Sequence, residues 1–143
     1  MPRLLRVVLD TNVVVAGLRS NRGASFRLLR ELGDGGFEIA LSVPLILEYE
    51  EALRRNMAAA GLRMADVDAV LDFFCSVAHL QRIFYLWRPL LPDPSDDMVL
   101  EVAVAAQCSA LVTHNTRDFL GAAGLGVKVL KPAEFLLQIG GAK

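Results

Sequence analysis

Val7, Val8 and Leu9 are apolar on three consecutive residues, and this limits the folds open to the chain more than any other feature. A strand with one wet face alternates apolar and polar side chains. An unbroken apolar run instead belongs to a strand buried on both faces, as in a parallel sheet covered by helices. Residues 4–9 therefore read as a buried strand, and Phe37–Leu41, 110–113 and 127–130 read as others. Residues 80–87 read as extended, ended by Pro89 and Pro92. Helices fill the intervals. Residues 25–32 form one, stopped by Gly33, Gly35 and Gly36, and Ser42 caps the next, with Pro44 in its first turn, running towards Met57. Residues 66–78 carry Val67, Val70, Leu71, Phe74 and Val77 at helical spacing, 95–108 form an alanine-rich helix, and Pro132 opens a last one over 133–139. This alternation predicts a single α/β domain over residues 1–143, a three-layer α/β/α sandwich around a mainly parallel sheet.

An apolar fraction of 54% exceeds what one core of this size needs, so self-association or a partner is expected to cover the surplus. No stretch has the apolar length of a membrane helix, and Arg6 and Asp10 interrupt any signal-peptide core, so a cytoplasmic protein is expected. Cys75 and Cys108 lie far apart in apolar helical sequence, without zinc-ligand spacing, and read as inert buried thiols. A net charge of -1 does not mark a bulk polyanion binder. Arg19, Arg22, Arg27 and Arg30 nevertheless cluster, either to grip phosphate or carboxylate or simply as a solvated helix face.

Open parallel sheets bind ligands at the carboxyl ends of their strands. Two strands here end in polar tips, Asp10-Thr11-Asn12 and Thr113-His114-Asn115, which would share one cleft if the strands are neighbours. Asp10 suits a ligand there, and equally a turn or helix cap. Glu48 lies on a partly apolar helix face, Leu45 and Ala52 being its neighbours, although a helical Glu is more often solvated. Asp93, Asp96 and Asp97 open a helix, where negative charge complements the macrodipole, but three acids exceed what capping requires. Acids far apart in sequence, each beside buried elements, point to one pocket for a hard divalent cation.

In order, these segments resemble the PIN-domain nucleases: Asp10-Thr11-Asn12-Val13, Ser42 through Glu48, Asp93-Pro94-Ser95-Asp96-Asp97, and Val112-Thr113-His114-Asn115-Thr116-Arg117-Asp118-Phe119. The similarity spans nearly the whole chain and is strongest to the stand-alone, VapC-like toxins of toxin–antitoxin pairs. It implies an endoribonuclease that gathers acids around Mg²⁺ or Mn²⁺ and hydrolyses single-stranded RNA to 5′-phosphate and 3′-hydroxyl ends. It also implies a homodimer and a small antitoxin protein covering part of the cleft. Asp10 matches the first metal-binding acid and Glu48 the second, while the third falls on Asp96 or Asp97. The usual fourth acid is Asn115 here, which weakens the case for a second metal. Asp118 could partly compensate, or could help cap and dock a short helix beside Phe119. Thr11, Asn12, Thr113 and Asn115 are implied as supporting residues, the two asparagines orienting waters or a phosphate oxygen.

Rival readings remain at this point. Asn115 leaves room for a PIN fold that binds RNA or protein without cutting. Lys131-Pro132 after the last strand fits a receiver-like signalling domain, which would need a phosphoacceptor Asp that residues 39–42 lack. A haloacid-dehalogenase-type phosphatase would need a second Asp where Asn12 stands. Phe84, Tyr85 and Trp87 could stack on bases or simply pack an amphipathic strand.

Overall fold

The computed structural model describes residues 5–33, 36–83, 91 and 93–140. Five strands form one sheet: β1 (Leu5–Leu9), β2 (Phe37–Leu41), β3 (His79–Leu80), β4 (Ala110–Val112) and β5 (Lys128–Leu130). Their order is β3-β2-β1-β4-β5, and every neighbouring pair is parallel. The unbroken apolar runs are explained by this placement. Val7, Val8 and Leu9 are fully buried at the centre of the sheet, as are Ile39, Ala40, Leu41, Ala110, Leu111 and Val112. Helices cover the sheet to give the three-layer α/β/α sandwich expected from the sequence.

The chain runs outwards from β1 to β2 and β3, then returns to the other side of β1 for β4 and β5. The reversal of direction lies between β1 and β4, whose register pairs Leu9 with Val112. Loops leaving two such strands diverge and open a crevice at their carboxyl ends. Asp10 and Thr113 are the first residues beyond the paired ends, so the two polar tips are neighbours.

Two helices escape the sequence reading, and the longer comes first in the chain. Helix α1 (Thr11–Arg19) starts directly after β1 and contains Val13, Val14 and Val15, β-branched residues that favour strands. Its start is fixed by Asp10, whose Oδ1 accepts from the Thr11 N–H at 2.8 Å. Val13, Val14 and Gly17 form its buried face, so packing overrides propensity. Gly17 is required by close approach to helix α2 (Ala24–Arg30). A Cβ there would run into the Leu29 side chain and stand 3.2 Å from the Ser25 carbonyl.

Helix α3 (Val43–Arg55) starts as its sequence demands, with the Ser42 hydroxyl accepting from the Leu45 N–H at 3.2 Å. A short helix, α4 (Met57–Ala60), follows it and then α5 (Met64–Val77). Helix α6 (Pro94–Ala105) corrects the expected 95–108: Asp93 is the cap, through its side chain and the Ser95 N–H, and the helix ends before Cys108. A 3₁₀ segment (Thr116–Leu125), kinked at Phe119, links β4 to β5, and α7 (Pro132–Gln138) closes the fold. Of the extended stretch expected over 80–87, strand β3 and the Gln81 N–H donating to the Leu41 carbonyl at 2.7 Å are described. Phe84, Tyr85 and Trp87 lie outside the described residues.

Both cysteines are free thiols, Cys108 buried and Cys75 half-buried. Burial pushes the Cys108 thiol up to about 12, which keeps it protonated and inert as expected. No helix among the described residues is long and apolar enough to cross a membrane.

Candidate metal centre

Thr113 is the hub of the crevice. Its hydroxyl donates to Asp10 Oδ2 at 2.7 Å and accepts from the Asn115 N–H at 3.0 Å. The Asn12 side-chain amide approaches the same hydroxyl at 3.5 Å, while Asn12 Oδ1 accepts from the His114 N–H at 3.3 Å. Asn12 therefore ties the loop after β4 to the start of α1, while the Asn115 N–H braces that loop on its own Thr113. Asp10 is 6% exposed, and each of its oxygens holds one fixed donor. A carboxylate oxygen has a second lone pair, so both remain able to take a further ligand. The Asp10 N–H donates to the Val112 carbonyl at 2.8 Å, which extends the β1–β4 ladder to the acid itself.

Burial and neighbouring negative charge raise three of the candidate acids. Asp10 is raised above its ordinary value, first by burial and then by the charges of Asp118 and Asp93, against the lowering effect of its two hydrogen bonds. Asp96 is pushed up to about 7, first by burial and then by Asp10, Asp93, Asp118 and Asp97. Glu48, half-buried on α3, is raised by burial and by Glu51, with smaller contributions from Asp93 and Asp10, and Arg55 opposes the shift. Asp118 sits exposed in the first turn of the 3₁₀ segment, with Phe119 buried beside it, and its charge raises Asp10.

Asp96 and Asp97 are not equivalent. Asp96 is only half-buried and feels Asp10 as its strongest charged neighbour. Asp97 is 1% exposed, and its Oδ1 accepts from the Leu91 N–H at 3.0 Å. Its other oxygen is buried with no hydrogen-bond partner among the described residues.

Two contributions are missed by sequence reasoning. Tyr49, next to Glu48, is fully buried and its hydroxyl donates to the Leu9 carbonyl, so α3 is pinned to the residue before Asp10. Burial and the Asp10 charge both hold its phenol well above the ordinary value, and it remains a donor. Its position in an apolar helix face gave no signal beyond core packing. Ser25, buried on α2, bonds His114 Nε2 at 2.6 Å and couples a third element to the loop after β4.

Among the described residues no three His, Cys, Asp or Glu side chains form a ready-made metal cage. What the crevice holds is a set of oxygen donors at raised proton affinity, and this has a consequence for stability. A carboxyl that prefers its proton more in the fold than in the unfolded chain stabilises the fold at low pH. That contribution is lost as pH rises from the ordinary value of 3.8 towards the folded value of about 7. In chelator-treated buffer the melting temperature is expected to fall between about pH 5 and pH 7 and then to flatten. Circular-dichroism melts of the chain and of Asp96→Asn check this. A slope that survives the substitution undiminished would assign it to other groups.

The PIN-domain family model matches residues 6–117. The chain belongs to the PIN-domain family. That assignment removes the receiver-like and phosphatase alternatives. Among solved structures, this PIN domain is similar to VapBC2 from Rickettsia felis, bound to a DNA fragment from its promoter. The TM-score is 0.63 at 16% identity, over 89% of this chain and 98% of the other. It is also similar to FitAB bound to an IR36 DNA fragment, with a TM-score of 0.52 at 16% identity over 88% and 94% of the two chains. At that identity the likeness carries the fold. No curated protein matches the sequence.

Proposed function

We propose that this PIN domain is a metal-dependent endoribonuclease that hydrolyses single-stranded RNA, acting as the toxin of a toxin–antitoxin pair. The observation that carries the reading is the buried Asp10 carboxylate at the carboxyl end of β1, both oxygens fixed by the Thr11 N–H and the Thr113 hydroxyl, whose charge raises both Glu48 and Asp96. Acids brought together at raised proton affinity repel one another, and a divalent cation relieves that repulsion. Mg²⁺ keeps several of its waters and needs only one or two direct carboxylates, which suits a donor set without a three-residue cage. Asp10, Asp96 and Glu48 are the side chains that would hold the ion.

A bound divalent cation supplies Lewis-acid polarisation of the phosphate and makes an attacking water more acidic. The chain's own residues do the rest. Thr113 and the Thr11 N–H fix both oxygens of Asp10, so little rotamer freedom remains to be lost on binding. Burial and neighbouring acids push Asp96 up to about 7, so a cation it helped to hold would have to displace a proton, and its affinity would rise with pH through about 7. Asp97 anchors the backbone at Leu91 and so holds the start of α6, where Asp96 lies. The cleavage expected leaves 5′-phosphate and 3′-hydroxyl ends.

An antitoxin and a homodimer belong to the same reading. Val43, Leu47 and Leu80 are exposed apolar side chains beside a groove lined by Leu41, Pro44, Ile46 and Ile83, which offers surface for a protein partner. The VapBC2 and FitAB neighbours are both complexes solved on DNA, which supports the pairing by analogy of fold.

Labelled single-stranded RNA incubated with the purified chain tests the enzyme. Cleavage is expected with Mg²⁺ or Mn²⁺ and none in excess EDTA, with end-mapping showing 5′-phosphates. Equal cleavage in EDTA would overturn the metal mechanism. Binding without cleavage under any divalent cation would favour the non-catalytic binding module that Asn115 leaves open.

A further inference from the structure

Residues 11–30 contain Arg19, Arg22, Arg27 and Arg30 and no acid, in a chain whose net charge is -1. All four arginines are exposed, and among the described residues none takes part in a salt bridge. Arg19 and Arg22 line a groove of about 500 Å³ between the end of α1 and the start of α2, together with Ser20, Asn21 and Phe26. The Arg30 guanidinium lies 5.7 Å from the centre of the Phe26 ring. A groove with two unpaired guanidinium groups and an aromatic ring has the chemistry of a single-stranded nucleic acid path.

The groove is linked to the acidic crevice by a chain of hydrogen bonds. Phe26 follows Ser25, Ser25 bonds the His114 ring, and the His114 N–H bonds Asn12, which approaches the Thr113 hydroxyl held by Asp10. Helix α1 spans the two with nine residues, about 13 Å along its axis, within reach of a few nucleotides. The crevice itself repels a polyanion, because Asp10, Glu48, Asp93, Asp96 and Asp118 all bring negative charge to it. Affinity for RNA must therefore come from positive charge next to the crevice.

We propose that the Arg19–Arg22–Phe26 groove binds the RNA strand flanking the scissile phosphate. Arg19 and Arg22 hold phosphates, and the Phe26 ring, backed by Arg30, stacks a base. This assignment rests on the ribonuclease reading and adds a binding subsite outside the acids.

The test compares the wild type with Arg19→Gln/Arg22→Gln and with Arg54→Gln/Arg63→Gln, which removes the same charge elsewhere. Fluorescence anisotropy on single-stranded RNA of about twelve nucleotides is read in an Asp10→Asn background, and cleavage kinetics in the active chain. The groove variant is expected to bind at least about tenfold more weakly, with the salt slope reduced by about 1.4 for two lost phosphate contacts. KM for the long RNA should rise while kcat stays, and a four-nucleotide substrate should be cut as before. Arg19→Lys/Arg22→Lys should recover the slope, and the control pair should match wild type. Wild-type affinity and slope in the groove variant, with cleavage intact, would overturn the subsite alone. A wild type that neither binds nor cuts RNA would remove the ribonuclease reading and the subsite with it. If the groove variant keeps RNA but loses poly-glutamate binding, the groove belongs to an acidic protein partner and the proposal falls.

Discussion

Asp10→Asn is expected to lower the rate of RNA hydrolysis on the order of 10³-fold, the loss of several kcal/mol of charge stabilisation, with the fold retained. The amide has the shape of the acid, and its oxygen can still accept from the Thr11 N–H that starts α1. The Thr113 hydroxyl can turn to accept from the new NH₂ in place of the long Asn12 amide contact, giving up its own bond to Oδ2. One negative charge leaves a crevice of repelling acids, so the metal-free melting temperature should hold or rise. Single-turnover cleavage and thermal melts of the same preparation measure both quantities. Full activity with an intact fold would remove Asp10 from the chemistry.

The two adjacent acids on α6 are expected to separate in opposite directions. Asp96→Asn should cost cleavage at least about 10²-fold and reduce the fall in stability between about pH 5 and pH 7, leaving the part due to Asp10 and Glu48. Asp97→Ala should instead cost stability, because it strips the Leu91 N–H of its acceptor at a buried position. An unsatisfied buried donor costs about 1–3 kcal/mol. Relief of the second Asp97 oxygen, partnerless among the described residues, offsets part of this, so the net loss belongs near 1 kcal/mol. That corresponds to a few degrees in melting temperature for a domain of this size. Cleavage per folded molecule should change by less than about tenfold. The reverse pattern, with Asp97→Ala silent in melts and dead in cleavage, would make Asp97 the third metal-facing acid.

Much of the scaffold was legible because burial writes directly into sequence. The runs Val7-Val8-Leu9 and Ala110-Leu111-Val112 are apolar on both faces since helices cover both sides of the sheet. Ser42 with Pro44 announced α3, since a hydroxyl cap and an N-terminal proline act within one turn. Helix α1 was hidden because its local signal contradicts its state. Three valines and a glycine say strand or turn, and only the cap at Asp10 and the packing against α2 decide otherwise. At the site, the order of the acids carried the family, but the difference between Asp96 and Asp97 did not. Neighbouring residues on a helix point about 100° apart, and which one faces the crevice depends on how α6 lies on the sheet. The Tyr49 and Ser25–His114 contacts were invisible for the same reason, being pairings between distant elements.

The central position of the first strand also governs when the acid pocket can form. Asp10 and its hydroxyl partner are 103 positions apart, and Thr113 in turn donates its N–H to the Leu130 carbonyl. A ribosome-bound chain that has not yet extruded β4 has a first strand with one side unpaired and an acid without its anchor. Closing so long a loop is also a slow step in folding. A pocket arranged in this way cannot assemble until β4 and β5 are free to pair, however early its first acid is made.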